Sequence, residues 1–322
     1  MFERFNFNEY QTANGPRRQE FCEKLVASLQ KYGFVRLVSH GVQNDLIDRV
    51  FDAGRQFYHL PLAEKMKSPH PPTAHPHRGF TPVGVENISS ISEFGRDENA
   101  PALPLLKDMK ESYDMGSERD ELYSNIWPPE GVCDAFQPAF SEFFQSCYDA
   151  ENMILDAISE GLGLARDTLR KMHAKQHNEL RCTHYPTVQR DAFSHSTRIA
   201  AHTDFGTITL LFQDHVGGLQ VEFPDDSGEF APIASGGPHE CILNVGDCLR
   251  QWTGIRSARH RVDLPDGAKN VVEERFSIAY FAKPDRDASL HPLLDELRRG
   301  EDAAVTYPTA GEFQNMRIAA TY

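Results

Sequence analysis

Cysteine is scarce in this chain and shows no pairing pattern: Cys22, Cys133, Cys147, Cys182, Cys241 and Cys248 are scattered over 322 residues with no C-x-x-C pair. Disulfide frameworks belong to short, cysteine-dense secreted chains, so reduced thiols and a cytoplasmic setting are expected. Long apolar runs are missing too. No stretch approaches the roughly 20 apolar residues that span a bilayer, and the opening MFERFNFNEY lacks the apolar centre of a secretory leader. No membrane role is expected. Positive charge is short as well: 33 Lys and Arg face 47 Asp and Glu, a formal net charge of −14. A nucleic-acid partner is therefore not expected, because no basic surplus is available to neutralise phosphates. Any anionic ligand must be held by a local Arg or Lys. The sequence has no internal repeat and no low-complexity run.

What is present is ordinary for a globular protein, with 40% hydrophobic and 25% charged residues. The length admits two domains, but β-rich folds of this size often stay single, and one domain over residues 1–322 is expected. Residues 1–165 carry mainly helix signals. In RRQEFCEKLVASLQK (17–31), Phe21, Leu25 and Leu29 share one helical face; residues 43–58 form a second helix; residues 134–163 form a long one with a core-facing stripe of Phe136, Phe140, Phe143 and Phe144. GFVRLVSHG (33–41) alternates as a strand. Residues 68–110 are rich in Pro, His and Ser and read as an irregular segment, a candidate lid. In the part that follows, residues 166–322, the period changes to two from residue 178. LRCTHYP (180–186), TITLLFQD (207–214), GLQVEF (218–223), ECILNVGD (240–247) and RFSIAYFAKP (275–284) are separated by turn signals such as PDGAKN. Short strands so spaced suggest a sandwich or barrel.

The chemistry lies in this second part. His202 and Asp204 of AHTDFG are two apart, so on extended backbone both project from one face. Such a pair arises often by chance. A third donor, His260 in SARHRV, follows several strands later. Two histidines and one carboxylate form the facial triad of non-haem iron(II) centres, which leaves adjacent coordination positions open. The same donors suit zinc, so a zinc hydrolase stays open at this point. Arg275 and Ser277 in ERFSIAYF are also two apart on a predicted strand. A guanidinium grips a carboxylate through two parallel hydrogen bonds and a nearby hydroxyl adds a third, so the pair reads as a carboxylate anchor. A 2-oxoglutarate enzyme needs such an anchor and a zinc hydrolase does not. The alternative is a surface arginine paired with Glu273 or Glu274.

Taken together, these motifs resemble a known family. HTDFGTITLLFQDHVGGLQV (202–221), NVGD (244–247), RHRV (259–262) and RFSIAYF (275–281) are similar to the isopenicillin N synthase-like family of iron(II)/2-oxoglutarate-dependent dioxygenases. GFVRLVSHGV (33–42) resembles its N-terminal strand, RGF (78–80) its arginine-glycine-aromatic loop and LRCTHYP (180–186) its co-substrate strand. KESYDMG (110–116) and the terminal RIAATY (317–322) look closest to thymine-7-hydroxylase-like members and to microbial tailoring oxygenases of secondary metabolism. The resemblance spans nearly the whole chain, and its motifs together are far more specific than any one.

The fold it implies is an all-β core with flanking helices, a distorted double-stranded β-helix (jelly roll) buttressed by N-terminal and central helices. The cofactors it implies are iron(II), 2-oxoglutarate and O2, with ascorbate supportive in vitro. His202, Asp204 and His260 would ligate the iron. Arg275 and Ser277 would hold the remote carboxylate of 2-oxoglutarate, and Tyr185 would contact the same molecule. The family often has Asn two residues before that tyrosine, where this chain has Thr183, and its apolar opening is shortened here to FERFNF. The implied reaction couples decarboxylation of 2-oxoglutarate to succinate with oxidation of a C–H bond, by default hydroxylation. Its substrate is a small organic molecule, a heteroaromatic base or a secondary metabolite.

Substrate contacts are expected from Phe205, which follows the aspartate, from Phe281 and from Arg181. By resemblance, Lys110 and Tyr113 join them. Asn244 and Asp247 read as turn-shaping, and His184 as pointing away from Tyr185. Two further readings stay open: an iron oxidase that does not use 2-oxoglutarate, and a non-catalytic binding protein on the same fold. Monomer is the default expectation.

Overall fold

In the computed structural model, described over residues 2–73, 77–86, 107–224, 227–298 and 306–319, the alternating segments pair into two principal sheets. The larger has eight strands, in the order Arg4–Asn6, Phe34–Val38, Cys241–Val245, Ile208–Gln213, Arg275–Ala282, Glu179–Tyr185, Glu111–Gly116 and Gly79–Thr81. Only its first pair is parallel. The smaller has four, ordered Phe230–Pro232, Leu219–Glu222, His260–Val262 and Ile199–His202. Together they make the expected jelly-roll core, with helices on the outer face of the larger sheet.

Period two gives each strand of the larger sheet two different faces. Leu180, Cys182, Leu210, Phe212, Ile278 and Tyr280 look outward into one apolar core shared with the helices. The long helix Phe136–Gly161 fills that side: Phe143 meets Phe212 with ring centroids 5.2 Å apart, and Phe144 meets Tyr280 at 5.3 Å. Fully burying such a ring contributes roughly 1.5–3 kcal/mol, so this stripe dominates the adhesion of helix to sheet. Helix Gly15–Tyr32 has Pro in its first turn and ends at Gly33 in the left-handed conformation, and the chain then enters strand Phe34–Val38 directly. The inner face of the larger sheet meets the smaller sheet around Phe34, Tyr185, Leu219, Val221, Ile242 and Val262. The site lies in this inner space.

The helix-rich first part thus contributes four strands of the larger sheet, two on each flank. One of them, Gly79–Thr81, lies inside the segment 68–110 read as irregular, and another, Glu111–Gly116, follows that segment directly. ESYDMG has no alternating apolar signal, yet every residue of the strand is buried, because its acids are paired inside: Glu111 with Lys65 at 2.7 Å and Asp114 with Arg181 at 2.6 Å. Residues 74–76 and 87–106 of the candidate lid lie outside the described residues. All six cysteines are free. No helix among the described residues is long and apolar enough to cross a membrane.

One acid sits in the apolar layer between helix and sheet. Glu151 is fully buried and accepts hydrogen bonds from the Tyr280 hydroxyl and the Asn178 amide, each at 2.8 Å. Burial raises its pKa from 4.5 to about 8. The folded chain therefore keeps a proton that the unfolded chain releases at lower pH. Stability from this group is fully present below about pH 4.5 and declines as pH rises toward about 8. Glu151→Gln should flatten that decline. In denaturant melts the variant should match the wild type near pH 5 and exceed it at pH 9 by on the order of a few kcal/mol. An unchanged pH dependence would contradict the buried, protonated state.

Candidate active site

His202 ends strand Ile199–His202, and His260 opens its neighbour, His260–Val262; the two face each other across the ladder. Their rings are 4.4 Å apart between centroids. Each Nδ1 is turned to a backbone carbonyl, His202 to Ala200 at 2.8 Å and His260 to Ala258 at 3.3 Å. A carbonyl only accepts, so Nδ1 carries the hydrogen and Nε2 keeps its lone pair. Both Nε2 atoms point at one oxygen, Oδ1 of Asp204, at 3.7 and 3.8 Å. The other carboxylate oxygen, Oδ2, is occupied: the Thr209 hydroxyl donates to it at 2.5 Å and the Asn244 amide at 2.7 Å. Two imidazole nitrogens and one carboxylate oxygen thus converge on one point, with all three donor atoms within 4.8 Å of one another. That set fits a divalent metal ion of the iron or zinc class.

The electrostatics agree with the geometry. Burial, then the nearness of His260, lowers the pKa of His202 to about 4, so its imidazole is neutral at pH 7, the form that binds a metal. Burial works against the charge of Asp204. His260, His202 and the hydrogen bonds from Thr209 and Asn244 outweigh it and hold the carboxyl below its ordinary value.

Backbone holds the aspartate corner in place. NVGD runs from strand Cys241–Val245 into helix Asp247–Thr253, and the amides of Gly246, Asp247 and Cys248 donate to the carbonyls of Thr207, Asp204 and Gly206 at 2.8–2.9 Å. Chains approach this closely only without side chains. A Cβ at residue 246 would collide with the Gly206 carbonyl oxygen and lie 3.2 Å from that of Asp204. The turn expected at Asn244 and Asp247 is therefore a strand-to-helix corner, and Asn244 also reaches the carboxylate itself.

Arg275 and Ser277 stand on the inner face of strand Arg275–Ala282, cross-strand from Tyr185 and Thr183. Arg275 is 0% exposed. Its guanidinium donates to Ser277 Oγ at 3.1 Å and to Gln213 Oε1 at 2.7 Å, and lies 4.8 Å from the Tyr185 ring centroid. Neither Glu273 nor Glu274 forms an ion pair with it. Glu274 instead reaches His59 at 3.0 Å and His184 at 3.1 Å on the outer side. These three also bring potential ligand atoms together, but His184 is further bonded to Glu111, itself paired with Lys65, so hydrogen bonding accounts for the cluster. Nε of Arg275 and Nε2 of Gln213 are buried without an acceptor among the described residues. A cation with open donors and no anion is a receptor for a carboxylate.

The expected substrate residues fall into three groups. Phe281 shares the inner face with Arg275 and Ser277 and is cross-strand from Thr209, which holds Asp204. Phe205 is half-buried beside the aspartate, and Arg317 from the C-terminal helix Ala310–Ala319 lies 4.5 Å from its ring centroid while donating to Thr203 at 3.0 Å. Arg181 and Lys110 are held by carboxylates: Lys110 by Glu86 at 2.5 Å, Arg181 by Glu86 at 2.9 Å and Asp114 at 2.6 Å. Tyr113 is not brought to this group. It lies in the outer core against Phe57 and Phe136 and donates to the Ile126 carbonyl at 2.8 Å. Sequence reasoning missed Thr209, Gln213, Glu86 and Arg317. For the first two a signal existed, since the alternation of TITLLFQ puts Thr209 and Gln213 on one face.

A family model described as non-haem dioxygenase in morphine synthesis N-terminal matches residues 5–130, and one described as 2OG-Fe(II) oxygenase superfamily matches residues 176–284. The chain is 36% identical to the 2-oxoglutarate-dependent dioxygenase gloF of Glarea lozoyensis, over 98% of each. It is 39% identical to the proline hydroxylase buaE of Petromyces alliaceus, over 99% of each. Among solved structures, the full-length thymine-7-hydroxylase-like protein of Neurospora crassa in complex with alpha-KG and thymine superposes with a TM-score of 0.85 at 29% identity, covering 100% of this chain and 97% of that one.

Gly246→Ala tests the backbone corner. The collision should destabilise the fold by roughly 1–3 kcal/mol and displace the Asp204 segment. The expected result is a lower melting temperature together with weaker Co(II) uptake; full uptake at an unchanged melting temperature would show that the close approach is not needed.

Proposed function

The chain belongs to the 2OG-Fe(II) oxygenase superfamily and is a 2-oxoglutarate-dependent dioxygenase, and we propose that it hydroxylates a C–H bond of a small ring-bearing molecule at an iron held by His202, Asp204 and His260. In the same reading Arg275, Ser277 and Tyr185 hold 2-oxoglutarate. One observation supports it above the others: a two-histidine, one-carboxylate donor triad shares the inner space of the jelly roll with a buried guanidinium that has no carboxylate of its own. Thr209 and Gln213, which serve the two centres, are four residues apart on one strand, about 13 Å. An arginine side chain and an extended five-carbon dicarboxylate together close that gap.

Iron held there would supply the oxidation: as 2-oxoglutarate loses carbon dioxide, one atom of O2 would enter succinate and the other the substrate C–H bond. The chain's own residues position and exclude. Arg275, Ser277 and Gln213 fix the dicarboxylate at its far end, so its keto end is presented to the triad in one orientation. Thr209 and Asn244 keep Asp204 from rotating and leave Oδ1 for the metal. Phe205 and Phe281 offer ring faces beside the triad, where a flat substrate stacks. Lys110 and Arg181 are matched by Glu86 and Asp114, so that edge presents polar groups without net charge and favours a neutral substrate over an anionic one. Tyr113 supports the site only through the packing beneath it. A cyclic substrate also accords with relatives named proline hydroxylase and solved with thymine. With its cysteines free, the chain is proposed to act in the cytoplasm, as a monomer of one domain.

The test is succinate release by the protein supplied with iron(II), ascorbate, 2-oxoglutarate and air, alone and with small cyclic candidates. His202→Ala should abolish release. Arg275→Gln should raise the KM for 2-oxoglutarate about 10–100-fold, the worth of one charged hydrogen-bond pair. Asn244→Ala should weaken iron(II) binding about 10–100-fold while leaving the fold intact. Wild-type turnover retained in His202→Ala would remove the proposed ligand set.

A further inference from the structure

Arg198 lies four residues before His202, between strands Ser196–Thr197 and Ile199–His202. It is 0% exposed. Its Nη2 donates to the carbonyl oxygen of Glu273, two residues before Arg275. Its Nε and Nη1 are buried and meet no acceptor among the described residues. Its guanidinium centre is 5.5 Å from the Tyr185 ring centroid, the same ring that Arg275 approaches to 4.8 Å. Two cations therefore share one aromatic ring in the interior. Burial, followed by the nearness of Arg275, lowers the pKa of Arg198 to about 10.

Other buried arginines are balanced. Arg78 has Asp120 at 3.2 Å and Glu179 at 3.6 Å, and Arg181 has Glu86 and Asp114. Arg198 and Arg275 instead repel each other; Asp214 is felt by Arg198 at a distance but forms no ion pair with it, and three guanidinium nitrogens and the Gln213 amide are left open around Tyr185. A packing role for Arg198 requires no charge, and one hydrogen bond to a carbonyl could be made by a neutral side chain. What removes both the repulsion and the open donors is an anion with several acceptor sites, and a carboxylate has about four.

We propose that Arg198 is a second binding residue for the remote carboxylate of the dicarboxylate co-substrate, acting beside Arg275 around the Tyr185 ring. The inference rests on the assignment of Arg275 and Ser277 to 2-oxoglutarate. It adds a second positive charge and two further donors to that pocket. The pocket then discriminates by charge as well as by shape: a monocarboxylic 2-oxoacid leaves two buried cations facing each other, whereas a dicarboxylate places an anion between them.

The experiment is binding to the metal-free, full-length protein, read by calorimetry and by thermal shift. The probes are 2-oxoglutarate, glutarate (which keeps both carboxylates but lacks the keto group) and chloride. Arg198→Gln should weaken 2-oxoglutarate and glutarate at least 10-fold, with Arg198→Lys intermediate. In the iron-loaded enzyme the KM for 2-oxoglutarate should rise by more than kcat falls. If Arg198→Gln is not recovered folded, Arg198→Lys carries the same comparison. Wild-type affinity in both Arg198 variants, with binding lost in Arg275→Gln, would overturn the proposal and leave the pocket assignment standing. Wild-type affinity in Arg275→Gln as well would overturn the pocket assignment. Stabilisation by chloride that disappears in Arg198→Gln, with 2-oxoglutarate binding unchanged, would make Arg198 part of a halide site and refute its role toward the co-substrate.

Discussion

The site depends on positive charge buried without an internal counter-charge. Removing an ion from water costs several kcal/mol even after the protein relaxes, and leaving its donors open adds to that. Arg275 carries this penalty at 0% exposure, between Ser277, Gln213 and Tyr185. Something else must supply the stability, and here it is the aromatic layer between helix Phe136–Gly161 and the outer face of the sheet. Because successive residues of one strand look to opposite faces, the residues that stabilise strand Arg275–Ala282 alternate with those that serve the site. Ile278 and Tyr280 pack outward, and Arg275 and Ser277 look inward. Stability and reactivity are thus properties of the same eight residues.

A second region of the inner face solves the problem of buried charge differently. Glu86, Lys110, Asp114 and Arg181 neutralise one another through contacts of 2.5–2.9 Å. Burial works against the Glu86 carboxylate, yet Arg181 and Lys110 hold it well below its ordinary pKa. One part of the inner space is therefore electrostatically complete and the other is not. Ligand charge is drawn to the incomplete part, and a substrate meets a fixed polar surface in the complete part.

Local signals made much of this legible. Helix 17–31 is observed as Gly15–Tyr32 and helix 134–163 as Phe136–Gly161, since periodicity and flanking residues mark helices within one segment. The H-x-D pair and the R-x-S pair could be read because two-residue spacing fixes a shared face on any strand. What stayed hidden depends on which strands become neighbours. Thr209 and Asn244 meet Asp204 only because strands Ile208–Gln213 and Cys241–Val245 pair in one register. The carboxylate that pairs with both Lys110 and Arg181 comes from Glu86, in a segment without periodicity. Tyr113 was expected at the site from a motif, and a motif does not specify a face. Its neighbour Asp114 pairs with the inner-face Arg181, which puts Tyr113 on the other side.

His202 and His260 reach the same point from strands that pair directly, with a register irregularity just past His260. Side chains alternate with period two, so threading the His260 strand one residue out of step would turn its imidazole to the opposite face. The chain could then keep its helices, its larger sheet and most of its buried area, yet have nowhere to load a metal. With the proposed ligand set, metal uptake would report on how the smaller sheet was threaded, and iron bound there would favour the correctly threaded form by mass action.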